Sequence, residues 1–474
     1  MHGAHYAPVS SPARWLEKYL HDFLPDKKIR VVNFARMGRG TEFAWRTMKQ
    51  TLPYQPDLIL VYLGHNIFLN RNRIADVSRE RKRLRYKVRH FQKQSFFFSA
   101  VYREFIRMRI LLKKDKPEDQ MEFPVIETAP LSIGPENITP RNSQVYRENI
   151  AFFKEYMLAM SELAQENHIP IIFMKPVSNL KDFAPYDSLH LKNMPPAEKL
   201  TWERNYQAGK RNQGMGNFAA AESYYRRAFQ IDGTYADLDF RLGHVYFKKG
   251  DYAQAKVLLE MARDNDAIIF RATQDALNVL DELKQTENIE LLETEKVLAS
   301  EVAGGILGEP IIEDNVHFSL KGQALAGRFM AEELAKRNLI APADQWKFEN
   351  ERPYEQMAKE LGIDQELQFS ADLKMVHYFG SRFENRVRFA KKALRIHPND
   401  PKALRHLAWT YWLMGERPKA LETYFHLRAV APNVFEEIFG NLKKFGESTD
   451  DFQTANLLDF LGNTEKSGFL GRPK

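Results

Sequence analysis

The sequence predicts an α/β protein, in which a doubly wound parallel sheet in a three-layer α/β/α arrangement is interrupted and followed by all-α helix hairpins. Two observations predict the sheet. Short, nearly continuous apolar runs are typical of strands buried on both faces of a parallel sheet. These runs alternate with amphipathic helices, which implies right-handed crossovers. A third observation, a repeat with a period of 34 residues, predicts the hairpins.

The elements of the sheet region follow from the spacing of apolar residues. Helical spacing predicts helices over 13–24, 41–52, 146–167, 272–284 and 323–334. Apolar runs predict strands over 29–32, 57–63, 170–174 and 289–292, with the run at 57–63 buried on both faces. The sheet pattern stops between about Pro195 and Ala267, where the repeat is found.

The repeat places small residues where two helices touch and large residues between them. Its first copy consists of Gly209, Gly216, Phe218, Ala221, Tyr225 and Ala228, and its second of Gly243, Gly250, Tyr252, Ala255, Leu259 and Ala262. Near the C-terminus, Ala393 and Pro398 end one unit, and the next consists of Leu407, Ala408, Tyr411, Gly415, Ala420, Tyr424 and Pro432. Both blocks resemble the tetratricopeptide repeat, which implies a surface for a protein or peptide partner. The alternative is that the repeats only pack against the sheet domain.

Polar residues stand in three predicted loops of the sheet region, two of them directly after a strand. The loops are 33–41, 64–66 and 314–317, and the last precedes Gly322 and a helix. In open α/β sheets, ligands bind at the carboxyl ends of the strands. In their order and strand context these loops resemble the motifs of SGNH (GDSL-type) serine ester hydrolases, and the resemblance covers about 1–195 and 265–340.

The resemblance implies a role for four residues. The backbone N–H of Gly38 and the side-chain amide of Asn66 would form an oxyanion hole, in which each donor contributes roughly 2.7–4 kcal/mol. His317 would be the general base, and Asp314 would hold its imidazole in the correct tautomer. The implied substrate is an ester, such as an O-acyl group on a glycan or a lipid, and the chemistry requires no cofactor and no metal.

Each of these residues also has a structural interpretation. Gly38 alone is compatible with an ordinary turn, Asn66 with a helix cap, and His65 with a structural neighbour of the site. A second Asp-x-x-His, Asp187 to His190, lies in a proline-rich linker, so we do not assign it to the site. Arg271 begins the return to the sheet domain, and we expect it to be structural.

The serine motif of the family, a Gly-x-Ser at the end of the first strand, is not found in residues 1–12. These residues resemble the stretch that follows the serine, so we expect the nucleophile and the first, central strand to lie upstream of Met1, within a longer native enzyme. The alternatives are recruitment of Ser10 or Ser11, which also suit an N-cap region before Pro12, or loss of catalysis. As written, the chain is expected to be a poor esterase.

The net charge of +7 is concentrated in one segment. Between Arg71 and Lys116 there are sixteen Lys or Arg and four Asp or Glu, which gives +12 and leaves about −5 for the rest. This basic, aromatic-containing segment suits a lid over the active site or contact with an anionic membrane surface. Nucleic acid is not expected as a partner, since no binding motif accompanies the charge.

Composition restricts the compartment only weakly. The chain has no cysteine, no apolar run of membrane-spanning length and no visible signal peptide. We expect the chain as written to be soluble, and a full-length form is compatible with a membrane anchor and an extracytoplasmic location.

These observations divide the chain into six regions. They are the first part of the hydrolase-like domain (1–195, with the basic segment 71–116), inserted repeats (196–266), the second part (267–340), a linker (341–365), C-terminal repeats (366–450) and a tail (451–474). Two functions follow: a serine ester hydrolase, or a non-catalytic binding platform of repeats on a degenerate hydrolase fold.

Overall fold

A computed structural model of the protein describes residues 10–36, 38–69, 137–191, 193–286, 289–380 and 382–437. Chain contacts divide them into two compact units, the first ending at Tyr354 and the second starting at Glu355. The basic segment 71–116, for which a lid or membrane contact was predicted, lies outside the described residues, as does the tail 451–474.

The first unit combines a small sheet with many helices. Its strands are β1 (Ile59–Tyr62), β2 (Ile171–Met174) and β3 (Glu290–Leu292). Its helices are α1 (Pro12–Phe23), α2 (Thr41–Thr51), α3 (Gln144–Glu166), α4 (Pro196–Gly214), α5 (Phe218–Ile231), α6 (Ala236–Lys249), α7 (Tyr252–Asp264), α8 (Gln274–Thr286), α9 (Thr294–Leu298) and α10 (Leu320–Lys336). The predicted helices and three of the four predicted strands are confirmed, with ends shifted by a few residues.

The strands form a parallel sheet in the order β1-β2-β3. Val61 of β1 pairs with Phe173 of β2, and Phe173 pairs with Leu291 of β3. The central strand β2 is largely buried, whereas most of β1 is only half-buried, so the prediction of burial on both faces is wrong for β1. Among the described residues the sheet has three strands within a mostly helical chain, and the predicted larger doubly wound core is not shown.

The predicted strand at 29–32 is absent, because its backbone bonds to helix side chains instead of to a strand. The amide of Val31 donates to Oε1 of Glu17 at 3.0 Å, and the carbonyl oxygen of Ile29 lies 2.8 Å from Nε2 of His21. Both partners belong to α1. Val32 is 54% exposed, as expected for a segment that packs against no neighbouring strand.

Helix α1 buries one face against α10. Its buried side chains recur at helical spacing and include Trp15, Leu16, Tyr19 and Phe23. The two helices approach closely at Gly327, where a Cβ atom would lie 2.6 Å from Cβ of Trp15. This contact anchors α10 behind the loop that contains the predicted base.

The inserted hairpins α4–α5 and α6–α7 confirm the predicted repeat. A Cβ atom at Gly209 would lie 2.5 Å from the ring of Tyr225, and one at Gly243 would lie 2.9 Å from Cγ of Leu259. The repeated glycines therefore lie where the second helix of each pair presents a large side chain to the first. The same contact recurs 34 residues further along the chain, which is the period of the sequence repeat.

The second unit also consists of paired helices. They follow α11 (Tyr354–Glu360) and are α12 (Gln365–Tyr378), α13 (Phe383–Ile396), α14 (Pro401–Leu413) and α15 (Arg417–Val430). The small residues predicted for the C-terminal repeats, Ala393, Ala408 and Ala420, are fully buried between these helices. The C-terminal repeat is thus helical as expected.

Candidate functional site

The third polar loop holds Asp314 and His317 in direct contact. The loop is closed by a bridge between Ile312 and Phe318. Oδ1 of Asp314 accepts hydrogen bonds from the amides of Val316 and His317 at 2.8 and 2.7 Å. Oδ2 of the same carboxylate lies 2.6 Å from Nδ1 of His317. Four successive residues thus fix the imidazole relative to the carboxylate.

This pair has the electrostatic arrangement of a general base. The side chain of Asp314 is 0% exposed and that of His317 is 32% exposed. Because the carboxylate can only accept, Nδ1 carries the proton in the neutral imidazole, and Nε2 becomes the nitrogen that takes up a proton. A buried carboxylate behind a partly exposed imidazole would stabilise the imidazolium if this ring took up a proton.

The loop after β1 contacts the loop that contains Gly38. Nδ2 of Asn66 donates to the backbone oxygen of Arg39 at 2.9 Å. Gly38 has φ +67°, in the left-handed region that favours glycine. An amide NH₂ has two N–H groups, so Asn66 can make one further donation beyond the bond to Arg39. Residues 65–69 form turns and bends, so the interpretation of Asn66 as a helix cap finds no support.

Gly64 is required by a close approach that the sequence did not reveal. Its φ is +145°, and a Cβ atom there would lie 2.6 Å from Cγ of Pro176 and 3.4 Å from Cβ of Ala272. The chain after β1 therefore lies directly against the chain after β2. This packing brings the carboxyl ends of these two parallel strands together, where ligands bind in such sheets.

His65 is a buried, neutral histidine. The amide of Ala272 donates to its Nδ1 at 3.2 Å, so the ring proton lies on Nε2, which faces the hydroxyl of Tyr62 at 3.4 Å. Burial, and next the nearby His317, lower the pKa of His65 to about 3. His65 thus lies within electrostatic reach of His317, and its hydrogen bonds agree with the structural interpretation.

The other candidate residues fall elsewhere. Ser10 and Ser11 are buried immediately before α1, and the carbonyl of Ser11 accepts from the amides of Arg14 and Trp15 as an N-cap residue does. His190 bonds through Nδ1 to Oδ2 of Asp232 at 2.9 Å, so the second Asp-x-x-His serves a different contact.

Arg271 is buried and structural, as expected. Its Nη1 donates to the backbone oxygens of Asn179 and Phe183 at 3.1 and 3.0 Å, and its Nη2 pairs with Asp266 at 3.3 Å. Asn179, which the sequence did not single out, contacts the backbone on both sides of Asp314. A lone asparagine after a strand has no pattern that would have revealed this.

The inserted repeats hold a segment of their own chain, residues 180–191, named here the clasped segment. The backbone oxygen of Lys181 accepts from Nε2 of His244, and Oγ of Ser188 accepts from the amide of Asp237 at 2.9 Å. Nζ of Lys181 lies 5.5 Å from the ring centre of Phe247. Positions 237, 244 and 247 lie on one face of α6, so that face is covered from within the chain.

The far end of the clasped segment is held equally firmly. The ring of His190 lies edge-on to Trp202 at 4.5 Å between ring centres, and 4.7 Å from that of Tyr235. Oδ2 of Asp232 accepts from Nδ1 of His190 and from the amide of Leu191. The inserted repeats thus contact residues 181–191 at both ends of the clasped segment.

The described residues also bear on metal binding and membrane insertion. They contain no group of three or more His, Asp or Glu side chains placed to hold a metal ion. Within the same residues, no helix combines the length and apolarity that crossing a membrane requires.

Comparison with known proteins identifies the repeat. Residues 213–267 match the tetratricopeptide-repeat family. A solved structure, described as YrrB, a TPR protein with an unusual peptide-binding site, is 15% identical, covers 51% of this chain and 97% of its own, and has a TM-score of 0.15. No curated protein matches the chain. The family match supports a tetratricopeptide repeat over residues 213–267, and no comparison gives evidence for a hydrolase domain.

Proposed function

We propose that this protein binds a protein or peptide through its C-terminal repeats. The observation that carries the proposal is the clasped segment, in which a face of this repeat type binds a stretch of chain that is neither helix nor strand. In the inserted pair that face is covered by the chain itself. A partner is therefore expected at the equivalent face of the C-terminal pair.

The partner chemistry follows from aligning the two helices on their small residue, Gly243 in α6 and Ala408 in α14. Positions 237 and 244 of the face that α6 uses for the clasped segment then correspond to Lys402 and Trp409 of α14, and position 247 corresponds to the buried Trp412. Arg405 lies between Lys402 and Trp409 on the same side of the helix. Lys402 and Arg405 are exposed, and Trp409 is half-buried. Two cations beside an indole favour an acidic peptide that also contains an apolar residue.

This binding is tested with fluorescently labelled acidic and basic peptides of equal length, followed by anisotropy at low and physiological salt. Saturable binding of the acidic peptide is expected, weakened on the order of ten-fold by Lys402→Glu combined with Arg405→Glu, since each surface ion pair contributes up to about 1 kcal/mol. Lys248→Glu, an exposed lysine of α6, is the control and should leave binding intact. If the protein with both Lys402→Glu and Arg405→Glu binds the acidic peptide as tightly as the unaltered protein, the proposal is wrong.

We propose as a second function that the sheet domain hydrolyses esters by serine chemistry. The bonded pair of Asp314 and His317 carries this proposal. In it, Nε2 of His317 removes the proton of a serine hydroxyl as the oxygen attacks the ester carbonyl, and the protonated imidazole then gives that proton to the departing alcohol. Asp314 stabilises the imidazolium. None of the described residues is assigned as that serine, so the test includes a form of the chain extended at its N-terminus.

Stabilisation of the oxyanion is assigned to the loops of Gly38 and Asn66. The bond from Asn66 to Arg39 supports this assignment because it holds the amide against the Gly38 loop. The substrate class is an O-acyl ester of a glycan or lipid. Water then releases the acyl group with His317 again acting as base.

The hydrolase proposal is tested with an activated aryl ester, using this chain and a form extended upstream, each with and without His317→Ala. Activity is expected in the extended form and should fall by several orders of magnitude in the variant. His426→Ala, in the second unit, is the control for histidine removal. If the folded extended form is inactive, or His317→Ala retains full activity, the hydrolase assignment fails and the binding function remains.

A further inference from the structure

We infer that the inserted repeats position the Asp314–His317 pair, and that Asn179 is the positioning residue that connects them. The inference rests on the proposed ester hydrolysis for its functional meaning. The effect of Asn179 on the Asp314–His317 pair can be measured whether or not the protein hydrolyses esters. The inference assigns to the insertion a role in the geometry of the site.

Asn179 binds the loop of Asp314 from both sides. The amide of Asn179 donates to the backbone oxygen of Asn315 at 2.9 Å, and its Nδ2 donates to that of Ile312 at 3.1 Å. These two carbonyls lie immediately after and two residues before Asp314. Asn179 is fully buried, so neither carbonyl has water as a ready substitute, and losing the bond would leave it unsatisfied.

The backbone around Asn179 is itself held rigidly. Its carbonyl accepts from Nη1 of Arg271 at 3.1 Å, and its Oδ1 accepts from the amide of Asp182 at 2.7 Å. The next residue, Leu180, donates to the backbone oxygen of Leu307 at 2.9 Å. Asn179 therefore has little freedom to follow the Asp314 loop, and the loop is instead held to Asn179.

Directly after Asn179, the chain also contacts the inserted repeats. Lys181 begins the polar contacts of the clasped segment, where His244 of α6 donates to its carbonyl. Leu180 packs with Ala255 and Leu259 of α7. The chain of contacts thus runs from α6 and α7 through residues 179–181 to the loop of Asp314. Such a path of direct contacts can carry coupling between the repeats and the loop.

This arrangement matters because proton transfer tolerates only a small displacement of the general base. A general base acts only within hydrogen-bond reach of the proton it removes, and a displacement of about 1 Å can cost on the order of 10²-fold in rate. The imidazole is held within its own loop by Asp314. The position of that loop depends on contacts from outside it, and Asn179 supplies two of them.

The test uses NMR of the whole chain to observe the proton on Nδ1 of His317. A proton bonded to a carboxylate is expected far downfield, assigned by its loss in His317→Ala. We expect Asn179→Ala and His244→Ala to broaden or remove this resonance while circular dichroism shows retained helix. Lys248→Ala, on the same helix as His244, should leave it unchanged. His244→Ala keeps the test informative if Asn179→Ala does not fold.

Activity of the extended form gives the second readout. For the two positioning variants we expect kcat to fall roughly ten- to a hundred-fold with KM nearly unchanged, because the substrate contacts remain. An unchanged resonance in both folded variants would overturn the inference. If the two variants change the His317 resonance but the extended form has no esterase activity, the positioning role of Asn179 stands and the hydrolase proposal is wrong.

Discussion

Replacing Gly209 with alanine tests how tightly the inserted hairpins close. The added Cβ would lie 2.5 Å from Cδ1 and Cε1 of Tyr225. Carbon atoms in contact normally lie about 3.5–4.0 Å apart, so the ring or the helix must move by roughly 1 Å. The Tyr225 ring cannot move easily, since it is fully buried and its hydroxyl donates to Gln213 at 2.7 Å.

The magnitude follows from two opposing effects. Overpacking a core costs about 1–3 kcal/mol, whereas glycine to alanine within a helix gains up to about 1 kcal/mol. Gly214 at the end of the same helix provides the matched control, because a Cβ atom there meets nothing within 4 Å. Gly214→Ala should therefore be neutral or slightly stabilising, and Gly209→Ala should be less stable than it by about 1–3 kcal/mol.

Thermal unfolding followed by circular dichroism compares the two variants. For a domain of 150–250 residues, a change of 1 kcal/mol shifts Tm by about 2–4 °C, so Gly209→Ala should melt several degrees below Gly214→Ala. Equal melting temperatures would refute the reasoning, since they would show that the helices separate or the ring rotates without cost.

Three further predictions concern buried groups and the sheet. Burial raises the pKa of Asp239 from 3.8 to about 8, so the protein should lose stability as pH rises from about 4 to about 8. The denaturant midpoint of Asp239→Asn should depend less on pH, and an unchanged pH dependence would contradict the prediction. The pKa of His65, lowered from 6.5 to about 3, has the opposite effect, because stability is lost as pH falls from about 6.5 towards 3; His65→Gln should reduce this acid sensitivity in the same measurement. Gly64→Ala places a Cβ atom against Pro176 at a strained φ and should lower the free energy of unfolding by about 1–3 kcal/mol. Gly362→Ala has a strained φ but no close contact, so thermal unfolding should show a smaller loss of stability.

Local sequence patterns were sufficient for most elements of this protein. The apolar runs at 171–174 and 290–292 form strands, and the period of 34 residues reports a contact between helices that only a small residue permits. These patterns succeed because burial and helix packing act on nearest neighbours along a face. Asp314 and His317 could be paired in advance, since they are three positions apart and one turn brings them together.

Contacts between distant segments could not be read in the same way. The strand predicted at 29–32 is absent because the amide of Val31 and the carbonyl oxygen of Ile29 bond to side chains of α1, which no property of the four residues decides. Asn179 lies more than 130 residues before the loop it holds, and nothing in its neighbourhood marks it. The bond from Asn66 to Arg39 is similarly a product of how two loops meet.

The sequence by itself determined the type of most elements, the repeat, and the polar residues at the ends of strands, because these depend on spacing along the chain. Only the tertiary structure decided what the inserted repeats hold. Their face on α6 bonds to Lys181 and Ser188 of the same chain, and the exposed cations of α14 are left as the place to expect a partner. A repeat sequence specifies how its helices stack, but what occupies the resulting face depends on which segment the rest of the fold places there.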